Sequence, residues 1–530
     1  MCCVMTWSNK VSRPMLVLVV ALGVAAIVYM LALTPFIGDG YDDARYITLA
    51  RSLAEGKGYR LLSMPDMPLE TKYPPGWPLL LSLVWRIRPF FPANGVWFKG
   101  MSVLFTLGCV AVVYGWLRWR DGNEGKALLI ALLTLFSPHV FGYGTSAFSE
   151  MAFAFFSLLA LWLVGVWQKR PFPTFRRTLI TALVVAFTLY LRMFGLALVV
   201  ATLFYLLQTR RDKQVMLLVG LILVFVAPLL LRNYLVNQNS PYVQEFWLKS
   251  MEQPELGRIT AVDLILRVVN NMRAYLLAGL PGAIFPSQVP LTYVNMPAAL
   301  RIGAPWLGID ILLAMLVAGG LIGQILFRHA LSDWYVAAYL GMALLWPWEP
   351  TRFMVPLIPL MFDYFWFELS LLGQLLVHRW PGWQTGLRRL AIAGVVLFIL
   401  ANGWVQALAA VATYRTPVVP PEWQARYRLF EWVKENTHPE DVLASLIDFQ
   451  LYLYTDRFVV RELGAADKLA EYGVDYVVLV PYGGVQVTGD LSRFQFEPVR
   501  QEFPTAFQRV YVDEEAGIEV FRVEKGALLP

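Results

Sequence analysis

Pro14-Met15-Leu16-Val17-Leu18-Val19-Val20-Ala21-Leu22-Gly23-Val24-Ala25-Ala26-Ile27-Val28-Tyr29-Met30-Leu31-Ala32-Leu33-Thr34 is an uncharged run of 21 residues, and Gly38-Asp39-Gly40-Tyr41-Asp42-Asp43-Ala44-Arg45-Tyr46 follows it almost at once. Wound as a helix the first stretch rises about 30 Å, the thickness of the hydrocarbon core of a bilayer. Its apolar part is longer than the core of a secretory signal and no small-residue cleavage site follows, so it reads as a retained anchor. The second stretch then places three carboxylates at the membrane surface.

Working outward, apolar runs of comparable character recur at about 97–117, 126–142, 147–167, 178–191, 194–208, 214–231, 305–327, 333–347, 351–376 and 389–413. The expectation is a polytopic α-helical membrane protein with about eleven spans, the pair at 178–208 being open to reading as one kinked helix plus a re-entrant piece. With 58% hydrophobic residues, 15% charged and a mean hydropathy of +0.54, a set of water-soluble domains is excluded. Cys2, Cys3 and Cys109 give no disulfide framework, and four dispersed histidines give no zinc-ligand spacing.

The net charge of +6 is unevenly spread. Residues 415–530 hold 12 Lys and Arg against 19 Asp and Glu, a balance of −7, whereas residues 1–414 hold 32 against 19, or +13. Two modules are therefore expected, 1–414 in the membrane and 415–530 as a soluble α/β domain. The basic balance belongs to membrane loops and indicates no nucleic-acid partner. Lys10, Arg13, Arg118, Arg120, Lys126, Lys169, Arg170, Arg176, Arg177, Arg210, Arg211, Lys213, Arg328, Arg379, Arg388 and Arg389 all fall on one side of the expected spans. Short connections on the other side carry only Arg192 and Arg352. By the positive-inside rule the N-terminus is cytoplasmic, and the loop at about 35–96, residues 232–304 and the tail face outward from the plasma (inner) membrane.

In that first outer loop, Asp42 and Asp43 stand at the start of a helix with Ile47, Ala50, Leu53 and Ala54 on one side and Gly56 and Gly58 at its end. The helix dipole favours their ionised forms, while crowding of three carboxylates opposes it. An ordinary N-cap with a first-turn acid would look the same. Downstream, Lys72-Tyr73-Pro74-Pro75-Gly76-Trp77-Pro78 is a stiff entry to the apolar run Leu79–Trp85, too short to span and expected to lie in the interface.

The acidic pair and tyrosine of "DDARY", followed by "YPPGWP", resembles the first outer loop of the C-type (GT-C) glycosyltransferases. The resemblance points to bacterial members related to protein O-mannosyltransferases (the GT39 group) and to the aminoarabinose transferase of lipid A. Ser149-Glu150 at the start of the fourth span, Leu191-Arg192 ahead of Gly195, Leu231-Arg232-Asn233-Tyr234 and Arg352-Phe353 before Pro356 and Pro359 extend it over the membrane part. It implies a GT-C fold of about 11–13 spans, a polyprenyl-phosphate-linked sugar as donor, and a first-loop aspartate as general base. Position for position that base is Asp42, with Asp43 as its hydrogen-bond partner or the two reversed.

Such a transfer needs a base for the acceptor proton and cations for the charge growing on the departing phosphate. Lys72, Arg192, Arg232 and Arg352 are at the right surface, and an arginine that breaks the charge bias suggests a local anion. Arg232 and Arg352 can also be read as ordinary interfacial arginines reaching to headgroups, and Glu349 is placed to pair with Arg352. Tyr73 and Glu150 are candidates for hydrogen bonding to sugar or acceptor; His139, near the same surface, is more simply structural. No cofactor is required, although Asp39, Asp42 and Asp43 offer oxygen ligands that would suit a divalent cation.

The segment from Ala261 to Leu280 has apolar residues at helical spacing and reads as an interfacial helix. In the tail, helices at Pro421–Asn436 and Lys468–Tyr472 alternate with strands at Val442–Ser445 and Asp475–Val480, and Val510–Val523 reads as a hairpin around Glu514-Glu515-Ala516-Gly517. Without a phosphate loop or nucleophile elbow, the tail is assigned to acceptor binding or to capping of the site. Two other functions share much of this pattern: a transporter or flippase, which should show related halves and mid-membrane charges, and a surface-polysaccharide polymerase or ligase using a lipid-diphosphate donor. The sugar and the acceptor, whether protein, lipid or glycan, are not written in the sequence.

Overall fold

Ser12 accepts a hydrogen bond from the Met15 amide and so starts the first helix, α1 (Arg13–Leu31), with proline in its first turn where no amide is needed. The computed structural model describes residues 12–170, 173–209, 212–238, 240–251, 256–285, 304–348, 351–415, 419–483 and 489–528. Cys2, Cys3, Lys10, Arg210, Arg211 and Glu349, all discussed above, lie outside the described residues. After α1 come α2 (Asp42–Ala54), α3 (Gly76–Ile87), α4 (Gly95–Asp121), α5 (Glu124–Leu135), α6 (Pro138–Gly144), α7 (Glu150–Gln168), α8 (Phe175–Leu191), α9 (Gly195–Thr209) and α10 (Lys213–Val236). Next are α11 (Pro241–Trp247), α12 (Ala261–Ala274), a π turn (Tyr275–Gly279) into α13 (Leu280–Gly282), α14 (Ala304–Phe327) and α15 (Leu331–Leu345). A 3-10 turn (Thr351–Leu357) leads into α16 (Ile358–Arg379), and another (Pro381–Trp383) into α17 (Gln384–Arg415).

Among the described residues, seven helices are long and apolar enough to cross a membrane: α1, α4, α7, α10, α14, and α16 and α17 with their 3-10 entries. Counting α5 and α6 as one bent span makes eight. The expected run 126–142 is that pair, broken by 60° where Pro138 forbids helical geometry at Ser137. The expected spans at 178–191, 194–208 and 333–347 are α8, α9 and α15, helices of 17, 15 and 15 residues. At 1.5 Å per residue these reach about 22–26 Å, short of a hydrocarbon core. The segment 178–208 is two helices that meet at a break around Arg192.

Helices α4, α5 and α7 pack together, α8 lies between α7 and α10, and α9 pairs with α15. Helix α12 leaves Ile265, Val269 and Met272 exposed, as an in-plane membrane helix needs. From it Asn271 donates 2.8 and 2.9 Å bonds to the carbonyls of Trp346 and Leu344 and closes the end of α15.

The tail continues with α18 (Pro421–Asn436), β1 (Val442–Ala444), α19 (Asp448–Thr455), β2 (Phe458–Val460), α20 (Ala466–Glu471), β3 (Tyr476–Leu479), α21 (Leu491–Glu502), β4 (Phe507–Asp513) and β5 (Ile518–Val523). Its sheet runs β2-β1-β3-β5-β4, with β1 parallel to β2 and β3, and β5 antiparallel to β3 and β4. One sheet face shares its core with the membrane helices through Val459, Val478 and Val520; the other has a core of its own around Leu469, Phe496 and Phe521. Helix α19 seats this α/β part on α2.

Candidate active site

The loop from Ile37 to Tyr41 brings the chain tightly around into α2. Tyr41, its N-cap, has φ +60° and ψ −58°, a backbone state that costs a non-glycine residue about 1–3 kcal/mol. Gly40 before it is pressed on Phe148, and a Cβ there would come within 2.1 Å of that ring. The turn sends the two acids in different directions. Asp43 is 5% exposed and accepts the Gly38 amide at 2.8 Å, closing the loop. Burial pushes its carboxyl up against that bond. Asp42 faces the end of the helix bundle.

Asp42 accepts a 2.5 Å bond from Arg352 Nη1 on one carboxylate oxygen and the Tyr73 hydroxyl on the other. Arg352 Nε in turn donates to Glu150, the first residue of α7. The same Glu150 oxygen accepts Arg192 Nη1 at 2.7 Å, and that nitrogen also reaches Ser149 Oγ at 2.9 Å. Ser149 and the Tyr46 hydroxyl are 3.1 Å apart. Asp42, Arg352, Glu150 and Arg192 thus form one chain of alternating charge at a single end of the bundle. Burial works to raise the carboxyl of Asp42, but Arg352, the Tyr73 hydroxyl and Lys72 overcome it and hold the group below the usual carboxylate range. Two atoms of the chain, Arg352 Nη2 and Glu150 Oε2, are buried with no hydrogen-bond partner among the described residues.

Lys72 stands beside this chain and is held by Glu245 of α11, with the Trp348 ring 5.0 Å from its ammonium. Glu245 also accepts Trp348 Nε1 at 3.0 Å. Arg232 is turned to the loop: it donates to the Glu70 carbonyl at 2.8 Å and to Asn233 at 2.9 Å. Its Nη2 is buried without a hydrogen-bond partner among the described residues. Arg45, over the Tyr73 ring at 4.1 Å, fixes that tyrosine from behind while its guanidinium binds Glu70.

Of the residues singled out from sequence, the structure therefore gathers Asp42, Tyr73, Glu150, Arg192 and Arg352 in one network and sets Lys72 next to it. It turns Asp43 and Arg232 toward the loop backbone. Asp39, Asp42 and Asp43 fan apart, Asp39 binding Trp423 Nε1 at 3.0 Å and Arg426 at 3.2 Å. Among the described residues no group of three His, Cys, Asp or Glu is arranged to hold a metal ion. His139 is buried on α6, with its ring against Gly282. Sequence reading missed Glu245, 173 residues from its lysine, and, although it assigned the tail to acceptor binding or capping, it named none of the tail residues that touch the acidic turn.

No protein-family profile matches the chain, and no curated protein matches it in sequence. Solved structures do. ArnT from Cupriavidus metallidurans bound to undecaprenyl phosphate superposes with a TM-score of 0.59 at 16% identity, covering 96% of this chain and 98% of that one. Its apo form gives 0.52 at 15% identity over 98% and 100%. The archaeal oligosaccharyltransferase AglB from Archaeoglobus fulgidus, in complex with an inhibitory peptide and a dolichol-phosphate, gives 0.54 at 13% identity, over 96% of this chain and 74% of that one. The likeness spans the membrane helices and the tail together, and the chain has the GT-C fold of these glycosyltransferases.

Proposed function

We propose that the chain is a glycosyltransferase that moves a sugar from a polyprenyl-phosphate carrier to an acceptor at the outer face of the plasma membrane, with Asp42 as general base. The observation that carries the reading is the Asp42–Arg352–Glu150–Arg192 chain, whose buried Arg352 Nη2 and Glu150 Oε2 have no hydrogen-bond partner among the described residues. Arginines at a membrane surface suit a phosphate, and an unpartnered carboxylate oxygen suits a sugar hydroxyl. Structures of this fold hold undecaprenyl phosphate in one case and a dolichol-phosphate with a peptide in another, which supports a polyprenyl-phosphate donor here. The outward placement rests on the lysines and arginines clustered beyond the opposite end of α4.

The charges also suggest how donor and base are linked. In the resting site Arg352 is neutralised by Asp42 and Glu150, so Asp42 is ionised but a weak base. A donor phosphate drawing Arg352, Arg192 and Lys72 to itself would release Asp42 and let its pKa rise toward the ordinary range, where it takes a hydroxyl proton more readily. As the acceptor oxygen attacks the anomeric carbon, the carbon–oxygen bond to phosphate breaks, the arginines hold the departing phosphate, and Asp42 receives the proton. The test uses purified protein and lipid-linked sugars extracted from membranes, following release of polyprenyl phosphate by mass spectrometry. Asp42→Asn should lower turnover by about 10²–10⁴-fold; unchanged turnover removes the base. Release of a diphosphate lipid would favour a polymerase or ligase, and flux across liposomes without transfer a transporter.

A further inference from the structure

Two helices of the α/β tail touch the acidic turn, α19 at Ile37, Gly38 and Tyr41 and α18 at Asp39. Gln450 donates to the Ile37 carbonyl at 3.1 Å, and Tyr454 hydroxyl accepts the Ile37 amide at 3.2 Å. A Cβ on Gly38, whose φ is +106°, would lie 2.7 Å from the Gln450 side chain. Trp423 of α18 binds Asp39. Tyr41 is gripped from two sides: the Arg461 guanidinium lies 4.1 Å above its ring, and Phe449 meets the ring edge-on at 5.5 Å.

A second route runs from the same helix. Arg45 lies between Phe449 (5.1 Å) and Tyr73 (4.1 Å), and Tyr73 donates to Asp42. Both routes end on the residue assigned as base, one through the backbone and the other through a hydrogen bond. Tyr41 carries its strained φ immediately before Asp42, so relaxing it would swing the Asp42 side chain away from Arg352.

We propose that α19 and Arg461 of the tail are a positioning clamp: they hold Tyr41 in its strained positive-φ state and Tyr73 in place, so that the Asp42 carboxylate points at Arg352. Arg461 and Phe449 are positioning residues that touch no reacting atom. The inference rests on the assignment of Asp42 as base, but its structural content does not.

The test is amide hydrogen exchange on the full chain in lipid nanodiscs, comparing wild type, Arg461→Ala, Arg461→Lys and Phe449→Leu. Losing a cation held over an aromatic ring should speed exchange at Tyr41–Tyr46 by roughly tenfold in Arg461→Ala. Exchange in α4 and in β1, β3 and β5 should stay as in wild type, and Arg461→Lys should recover most of the protection. Phe449→Leu removes the ring but keeps most of the apolar bulk, and should loosen the same amides if Arg461→Ala does not fold. With extracted lipid-linked sugars, kcat of Arg461→Ala should fall about tenfold while the affinity for undecaprenyl phosphate stays within about twofold. Wild-type exchange at Tyr41–Tyr46 in both Arg461→Ala and Phe449→Leu would overturn the clamp. Faster exchange in a protein whose wild type transfers no sugar would keep the clamp and remove the transferase reading instead.

Discussion

Glu150→Gln isolates the claim that the arginines are kept for a phosphate. The Glu150 side chain is fully buried, and one of its oxygens binds both Arg192 and Arg352, whose side chains are 9% and 19% exposed. Glutamine fills the same volume but leaves two buried guanidinium groups with only Asp42 to neutralise them. Breaking a buried pair in this way costs about 3–5 kcal/mol, so the variant should unfold several degrees below wild type. Under the proposed function, undecaprenyl phosphate would supply the missing negative charge. A ligand present at about 100 times its Kd returns about 2.7 kcal/mol, and each tenfold gain in affinity adds about 1.4 kcal/mol. Thermal unfolding in detergent, with undecaprenyl phosphate or with undecaprenol, should therefore show a larger gain from the phosphate lipid in Glu150→Gln than in wild type. The gain from undecaprenol should be the same in both. Equal gains from the phosphate lipid would refute the reasoning, because the arginines would then be serving Glu150 alone.

Asp448 of α19 is buried and its carboxyl is pushed up to about 6 by loss of water, which Arg461 and Arg45 only partly offset. The folded state holds this proton more tightly than the unfolded state, so this group's contribution to stability is fully present below about pH 4 and is lost as pH rises through about 6, by on the order of 2–3 kcal/mol; unfolding curves of Asp448→Asn should lack that component of the slope and lie above wild type at pH 7.5. Glu245→Gln frees Lys72 and should tighten undecaprenyl phosphate by up to about tenfold, or ~1.4 kcal/mol, less so in high salt, measured by lipid titration; looser binding would place Lys72 outside the donor site. Gly40→Ala puts a methyl into the Phe148 ring and should cost about 1–3 kcal/mol with a loss of turnover, and adding Phe148→Leu should return part of the stability.

The sequence carried the broad plan because membrane burial imposes long uncharged runs, and the bundle's ends could be read from where lysines and arginines stop. Arg192 and Arg352 stood out as exceptions to that bias, and both lie on Glu150. What the runs could not show was length in helix: α8, α9 and α15 are too short to cross alone, although their composition matches that of the spans. The bend at Pro138 was legible in principle, since the residue before proline resists helix. Sequence could not separate Asp42 from Asp43, because the choice is made by the positive-φ Tyr41, and that state depends on contacts more than 400 residues away. Nor could it join Lys72 to Glu245 or α19 to the acidic turn; such pairings are set by packing between distant segments and leave no local periodicity.

The most direct measurement is a cryo-EM structure of the full chain with undecaprenyl phosphate bound. The account predicts phosphate oxygens within hydrogen-bond reach of Arg352 and of Arg192 or Lys72, with the Asp42–Arg352 contact opened and Asp42 facing the site left for an acceptor. A phosphate seated elsewhere, with the contacts of Asp42 and Glu150 to Arg352 unchanged, would contradict it.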